Sequence, residues 1–413
     1  MAKDLFPHRF RLLTRLFGWF IFYGSLTAGP TDLSDVPQRI ILTLTALPSR
    51  SQAVTWRTLN DAANPRAQIC VASESMRLDK EAKTCRAVTE RVLTELGPVS
   101  QHSVVFQSLQ ANTLYAYRVS GDKYWSEWFQ FRTACEPFAP FSFVYLGDPQ
   151  DDIKSMCSRI FRAAYQKAPD AGFWLIAGDL VNHGYVDHEW SEFYEALGWI
   201  SGMTPMMLVP GNHEYYDKVI KGLKKKRITP LWRAQFTLPG NGPEGLEETA
   251  YFVDYQGVRF IVLNGNEALE AQARWMETVL AENTRRWTVV CVHQTVFSVG
   301  KNRNNKKLRE LFLPLIDRYK VDLVLQGHDH VYARSYKLRN KKRVKEDQSG
   351  TVFITSVSGT KVYPINDLFK ELMEKTGRGR QLFQVIQVNE NHLVFHAFNA
   401  MGDLYDSVKI DKY

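Results

Sequence analysis

Apolar and polar positions follow two different rhythms along this chain. Between Gln38 and Arg132 the apolar residues come in short runs rich in β-branched and aromatic types. These are Gln38–Thr45, Ala53–Arg57, Val104–Leu109, Leu114–Val119 and Trp128–Arg132, separated by turn residues at short intervals. The pattern predicts an all-β sandwich. Residues 134–140, with two prolines, predict a linker. From Phe141 onward, compact apolar runs alternate with helical spacing. Phe141–Leu146 predicts a strand. Ile153, Met156, Cys157, Ile160, Phe161 and Ala164 recur as one face of a helix, and Phe173–Ala177 predicts the next strand. Runs without internal polar residues suit strands covered on both faces, as in a parallel sheet between helices.

The same alternation continues. Trp190, Phe193, Leu197 and Ile200 mark a helix, and Met206–Val209 a strand. Thr249–Tyr255 and Val258–Leu263 read as an antiparallel pair split by Gly257. A helix follows over residues 267–283, then the strand Thr288–Val292, a helix marked by Leu308, Leu311, Phe312 and Leu315, and the strand Val321–Leu325. Thr351–Val357, Phe383–Val388 and His392–Phe398 predict strands that complete the second sheet of this part. The polar stretch 370–380 predicts a surface loop. His392 and His396 share one face of a strand and read as structural or surface residues.

Five of these strands end in a residue able to bind a metal or carry a proton: Asp148, Asp179, Asn212 with His213, His293, and His328 with His330. A lone Gly-Asp is usually a turn, and a lone buried histidine is usually structural. Five such endings in succession point instead to a metal centre at one edge of the sheets. Oxygen and imidazole donors suit manganese, iron or zinc. Two ions about 4 Å apart need a carboxylate between them, and Asp179 is the candidate bridge. Paired ions of this kind imply hydrolysis of a phosphate ester.

Composition changes this picture little. The 413 residues carry a formal charge of +8, which is compatible with anionic partners, but on charge alone a solvated basic surface is the better reading. The basic runs 221–227 and 298–307 lack interleaved aromatics, so no nucleic-acid module is expected. These runs could bind extra phosphates, but they read better as solvated loops. Five cysteines without a CxxC spacing exclude a zinc ribbon and a disulfide framework. Cys157 and Cys291 are expected to be buried thiols, while Cys70 and Cys85 could pair across neighbouring strands. Lys3, Arg9, Arg11 and Arg15 precede the apolar run Leu16–Leu26 and the small residues Thr27, Ala28 and Gly29. That order predicts a signal peptide over 1–29 and a secreted or periplasmic protein, with an uncleaved anchor as the alternative. No second long apolar segment follows, so no stable membrane span is expected after its removal.

Gly147-Asp148, Gly178-Asp179, the Gly-Asn-His-Glu run 211–214, Val290–His293 and the Gly-His-Asp-His run 327–330 resemble the five blocks of the calcineurin-like metallophosphoesterases. His328–Ser335 is similar to the corresponding block of purple acid phosphatases. The resemblance implies a fibronectin type III-like domain over 37–133, a catalytic domain over 141–335 and C-terminal strands over 336–413. Residues 108–115 resemble that domain's tyrosine corner. The implied fold is α/β (α+β): a four-layer αββα sandwich preceded by an all-β sandwich. The implied site has Asp148 and His330 on one ion, Asn212, His293 and His328 on the other, Asp179 bridging and His213 protonating the leaving alcohol. The implied activity is hydrolysis of phosphomonoesters by a metal-bound hydroxide. Phosphodiesters or nucleotides are the alternative substrates. A surface binding protein with an inactive catalytic domain is the alternative of another class. The sequence departs from the family at two positions. Asn182 stands where purple acid phosphatases have a metal-binding tyrosine, which implies no purple charge-transfer band. Gln150 stands where calcineurin-type enzymes have a histidine. Gln150, Asn182 and His183 are therefore candidate substrate or secondary metal contacts.

Overall fold

A computed structural model describes residues 33–220 and 223–412, so the expected signal peptide or anchor over 1–29 lies outside the described residues. Two large sheets organise the chain from Ser34 on. In the first, Phe141–Leu146, Trp174–Ile176 and Met206–Leu208 run parallel side by side. In the second, Val258–Leu263, Trp287–Val292, Leu323–Gln326 and Val352–Thr355 do the same. The two sheets pack face to face. Phe143 meets Phe260 edge-on at 5.4 Å, and the Tyr251 hydroxyl crosses the gap to donate to the Leu208 carbonyl at 2.8 Å.

Side-chain alternation explains why these strands are mostly apolar. Phe260 and Val262 point into the core between the sheets. Ile261 and Leu263 point the other way, onto the helices Leu269–Ala281 and Lys306–Arg318. The helices Ser158–Lys167 and Asp187–Leu197 cover the outer face of the first sheet. The result is the expected αββα order, in which strands buried on both faces carry no polar alternation.

Two expectations are corrected. Only Val352–Thr355 joins the second sheet, whereas Leu382–Val388, His392–Asn399 and Leu404–Asp411 extend the first, with Gln384 opposite Tyr145. Both sheets have an open edge needing hydrogen-bond partners, and an apolar strand pattern does not say which edge it fills. Within the stretch expected as a surface loop, Met373–Gly377 is an edge strand paired with Tyr332–Ser335. It is polar because an edge strand faces water on one side, and Glu374 there pairs with Arg334.

The N-terminal part is the expected sandwich, with Leu42, Val54, Trp56, Tyr117, Phe129 and Phe131 in its core. The Tyr115 hydroxyl accepts from the Gln110 amide at 2.9 Å, as a tyrosine corner requires. One of its sheets is continuous with the first large sheet, because Gln38–Thr43 pairs in parallel with Met206–Leu208 through Thr43 and Met206. Trp125 and Trp128 hold the Arg118 guanidinium at 4.4 and 4.7 Å. Cys85 lies opposite Ala67, three residues from Cys70 along the same strand. The two thiols thus sit on opposite faces, about 10 Å apart along the strand, beyond disulfide reach.

Candidate metal centre

Each parallel strand stops where its sheet opens, and the next residues turn sharply toward the seam between the sheets. Asp148 (φ 52°), Asp179 (φ 52°), His328 (φ 72°) and His330 (φ 51°) all adopt left-handed backbone conformations. Such geometry costs on the order of 1 kcal/mol or more per non-glycine residue, and it persists where surrounding contacts fix it. Close approach demands glycine beside two of them. A Cβ on Gly211 would land on the Asp179 carboxylate, and one on Gly327 would meet the Asp148 carboxylate.

The turns bring all the strand-end residues together. Asp148, Asp179, His293 and His330 are at most 1% exposed, and Asn212, His213 and His328 are half-buried. Asp179, His293 and His328 place one donor atom each within 4.8 Å of one another, and so do Asp148, Asp179 and His330. Asp179 belongs to both groups. Its Oδ2 lies 3.1 Å from His293 Nε2. His293 Nε2 is in turn 3.3 Å from Asn212 Oδ1 and 3.1 Å from His328 Nδ1. His293 Nδ1 donates to the Ala177 carbonyl at 2.7 Å, which turns Nε2 to the site. Four oxygen and nitrogen atoms able to ligate a metal therefore converge on one point. That arrangement suits the oxygen and imidazole set of manganese, iron or zinc.

The titration behaviour shows the same demand for positive charge. Burial alone would lower the His293 pKa, but the Asp179 and Asp148 carboxylates outweigh it and hold the imidazolium up to about 9. Burial would raise Asp179, and the His293 charge overrides it and keeps the carboxyl ionised. Asp148 is pushed well up by burial, with His293 opposing. His330 is lowered to about 3, chiefly by burial, and stays a neutral donor.

Among the three secondary candidates, only Gln150 reaches the cluster. It is fully buried, and its Nε2 lies 2.8 Å from Asp179 Oδ2 and 3.2 Å from His330 Nε2. Asn182 instead offers its backbone carbonyl to His213 Nδ1 at 2.6 Å, while its side chain turns to His183. His183 is exposed and pairs with Glu189 at 2.7 Å. Sequence reasoning gave no role to two buried acids. Glu214 accepts from the backbone amides of Asp179, Leu180 and Gly211 at 3.0, 2.8 and 2.6 Å. Asp329 accepts from Val299, Gly300 and Ser298. Both stand next to candidate ligands, and an acid that cannot reach a ligand position is the signal that could have found them.

Comparison with known proteins gives a consistent result. A family model described as calcineurin-like phosphoesterase matches residues 141–332. A second, described as the purple acid phosphatase N-terminal domain, matches residues 37–133. An uncharacterized protein of Mycobacterium tuberculosis is 28% identical over 335 residues, covering 70% of this chain and 60% of its own length. Purple acid phosphatase 22 of Arabidopsis thaliana is 26% identical over 270 residues, covering 62% and 58% respectively. The matched part of this chain thus spans about three fifths of these curated relatives. A purple acid phosphatase from yellow lupin (Lupinus luteus) seeds has the same fold, with a TM-score of 0.76 at 18% identity over 91% of this chain and 74% of that one.

Proposed function

We propose, from the match of residues 141–332 to the calcineurin-like phosphoesterases and of residues 37–133 to the purple acid phosphatase N-terminal domain, that this chain is a purple-acid-phosphatase-like phosphoesterase that hydrolyses phosphomonoesters with two metal ions at its strand ends. Asp148 and His330 would hold one ion, Asn212, His293 and His328 the other, and Asp179 would bridge them. The observation that carries this reading is the membership of Asp179 in both donor groups. Iron, manganese or zinc ions bound there would supply the charge that draws in phosphoryl oxygens and acidifies a water.

The chain's own residues do the rest. The Asp179 amide and the Gly211 amide are tied to one carboxylate, Glu214, so the bridging residue and the Asn212 turn move as a unit. Asp148 accepts from the His328 amide at 2.7 and 2.9 Å, which ties the first strand end to the last. His213 donates Nδ1–H to the Asn182 carbonyl and keeps Nε2 on the open side, 4.0 Å from Asp179 Oδ2. Protonated there, it would give its proton to the departing alkoxide. Asn182 stands where a metal-binding tyrosinate would give the purple charge-transfer band, so iron-loaded protein should show no absorption band in that region. A band there would contradict the assignment.

We also propose, from the order of basic, apolar and small residues there, that residues 1–29 are removed as a signal peptide and the protein is exported; N-terminal sequencing of the mature chain tests that point. The activity test compares an aryl phosphomonoester with the matching diester, using protein loaded separately with manganese, zinc and iron. Monoester turnover at least ten times that of the diester supports the reading, and diester preference moves the protein to the phosphodiesterase class. No turnover of either by fully metallated protein contradicts it.

A further inference from the structure

One wall of the centre is built by two loops distant in sequence. The first, residues 298–303, follows His293. The second, residues 359–366, follows the strand Val352–Thr355. The buried Asp329 carboxylate fixes the first loop by accepting from the Val299 and Gly300 amides at 2.8 and 2.9 Å. The loops are then joined to each other. Gly300 and Ile365 form a β-bridge. The Lys301 amide donates to the Pro364 carbonyl at 2.9 Å, and the Asn366 amide to the Val299 carbonyl at 2.8 Å. The Asn366 side chain adds a bond to the Gly300 carbonyl.

This joined pair sets Tyr363 edge-on against His330, with ring centroids 4.9 Å apart and planes at 88°. The Arg303 guanidinium rests over the same Tyr363 ring at 5.1 Å. Lys361 lies near the ring as well, at 6.0 Å, but it faces Asp151 at 4.0 Å. Arg303 is half-buried, and among the described residues no carboxylate comes within ion-pair distance of it. A planar fork of donors, stacked in place beside a phosphate site and left without an acid, is prepared for an anion.

We propose that Arg303 binds a second phosphate of the substrate, beside the one being hydrolysed, so that organic diphosphates are favoured over simple monoesters. This rests on the phosphatase reading above and adds the substrate class to it. Tyr363 is the positioning residue that holds the guanidinium, and Lys361 adds a weaker charge at the rim.

The test is calorimetric binding of methylenediphosphonate and of methylphosphonate to manganese-loaded protein, with metal content checked after each titration. Wild type and Arg303→Gln are compared. The expected result is a loss of about 10- to 100-fold for the diphosphonate in the variant, at least tenfold larger than its loss for the monophosphonate. Arg303→Lys should recover only part of the difference, since an ammonium lacks the bidentate fork. Equal losses for both ligands, or no loss for either, overturn the assignment of Arg303 while leaving aryl phosphate turnover to stand on its own. A metallated wild type that binds neither phosphonate and turns over no ester overturns both readings.

Discussion

Glu214 gathers three backbone amides from two separate turns onto one carboxylate, with no exposure to water. Burial and the nearby Asp179 charge push its pKa up to about 7, with the His293 charge opposing. Removing it leaves three buried donors unsatisfied at the bridging residue. Glu214→Ala should therefore cost about 3 kcal/mol or more by urea unfolding and weaken metal binding with it. His102 offers a second test at this scale, far from the centre. It is fully buried between the Thr58 and Thr89 hydroxyls, at 3.0 and 2.8 Å. Burial lowers its pKa to about 4, against partial opposition from Asp35 and Asp122. The ordinary value is 6.5, so between these limits the unfolded chain binds more protons than the folded one. Stability is then full above about pH 6.5, falls as the pH drops toward 4, and is not lost further below it. Up to about 3 kcal/mol is at stake. Unfolding at pH 7 and pH 4.5 should show a smaller acid loss in His102→Gln than in wild type.

At the scale of elements, the strands that carry the centre were legible because both their faces are covered. Trp287–Val292 and Trp174–Ile176 are buried at every position, so each shows in the sequence as an unbroken apolar run ending at its functional residue. Strands whose residues face water were not legible. Met373–Gly377 reads as a charged loop, and the hairpin of Tyr215–Ile220 and Leu223–Ile228 includes the run Lys225, Lys226 and Arg227, all exposed. The candidate ligands could be read from the sequence, but the groups that hold them could not. Nothing in the spacing says that Asp329, between His328 and His330, turns away to fix residues 298–300. Asp329→Ala should release that loop. Faster hydrogen exchange at the Val299 and Gly300 amides, with KM raised more than kcat is lowered, is the expected outcome. Unchanged exchange would remove Asp329 from this role.

For the whole molecule, the sheet that runs unbroken from the N-terminal sandwich into the catalytic part matters most. Thr43 opposite Met206 joins them, and a buried ion cluster lies beside the seam. Asp187, 1% exposed at its side chain, receives Arg39 at 2.6 Å and Arg57 at 2.8 Å. Burial would raise the Asp187 pKa, but the bond and charge of Arg39, with Arg57 beside it, outweigh burial and keep the carboxylate charged. Asp187→Ala would strand two buried guanidinium groups and should cost about 3–5 kcal/mol. Because the seam is a shared sheet, wild type should unfold in one cooperative transition by calorimetry, without a separate step for residues 37–133. The apolar pattern showed both parts but not their union, since pairing through a single residue, Thr43, leaves no mark on periodicity.

The most direct test of the central claim is the metal content of purified wild type and Asp179→Asn, measured by elemental analysis after equilibration with manganese and removal of free ion. A carboxylate shared by two donor groups predicts about two ions per wild-type chain, and a variant that loses at least one of them together with turnover of an aryl phosphate. A variant that keeps two ions and wild-type turnover would contradict the account.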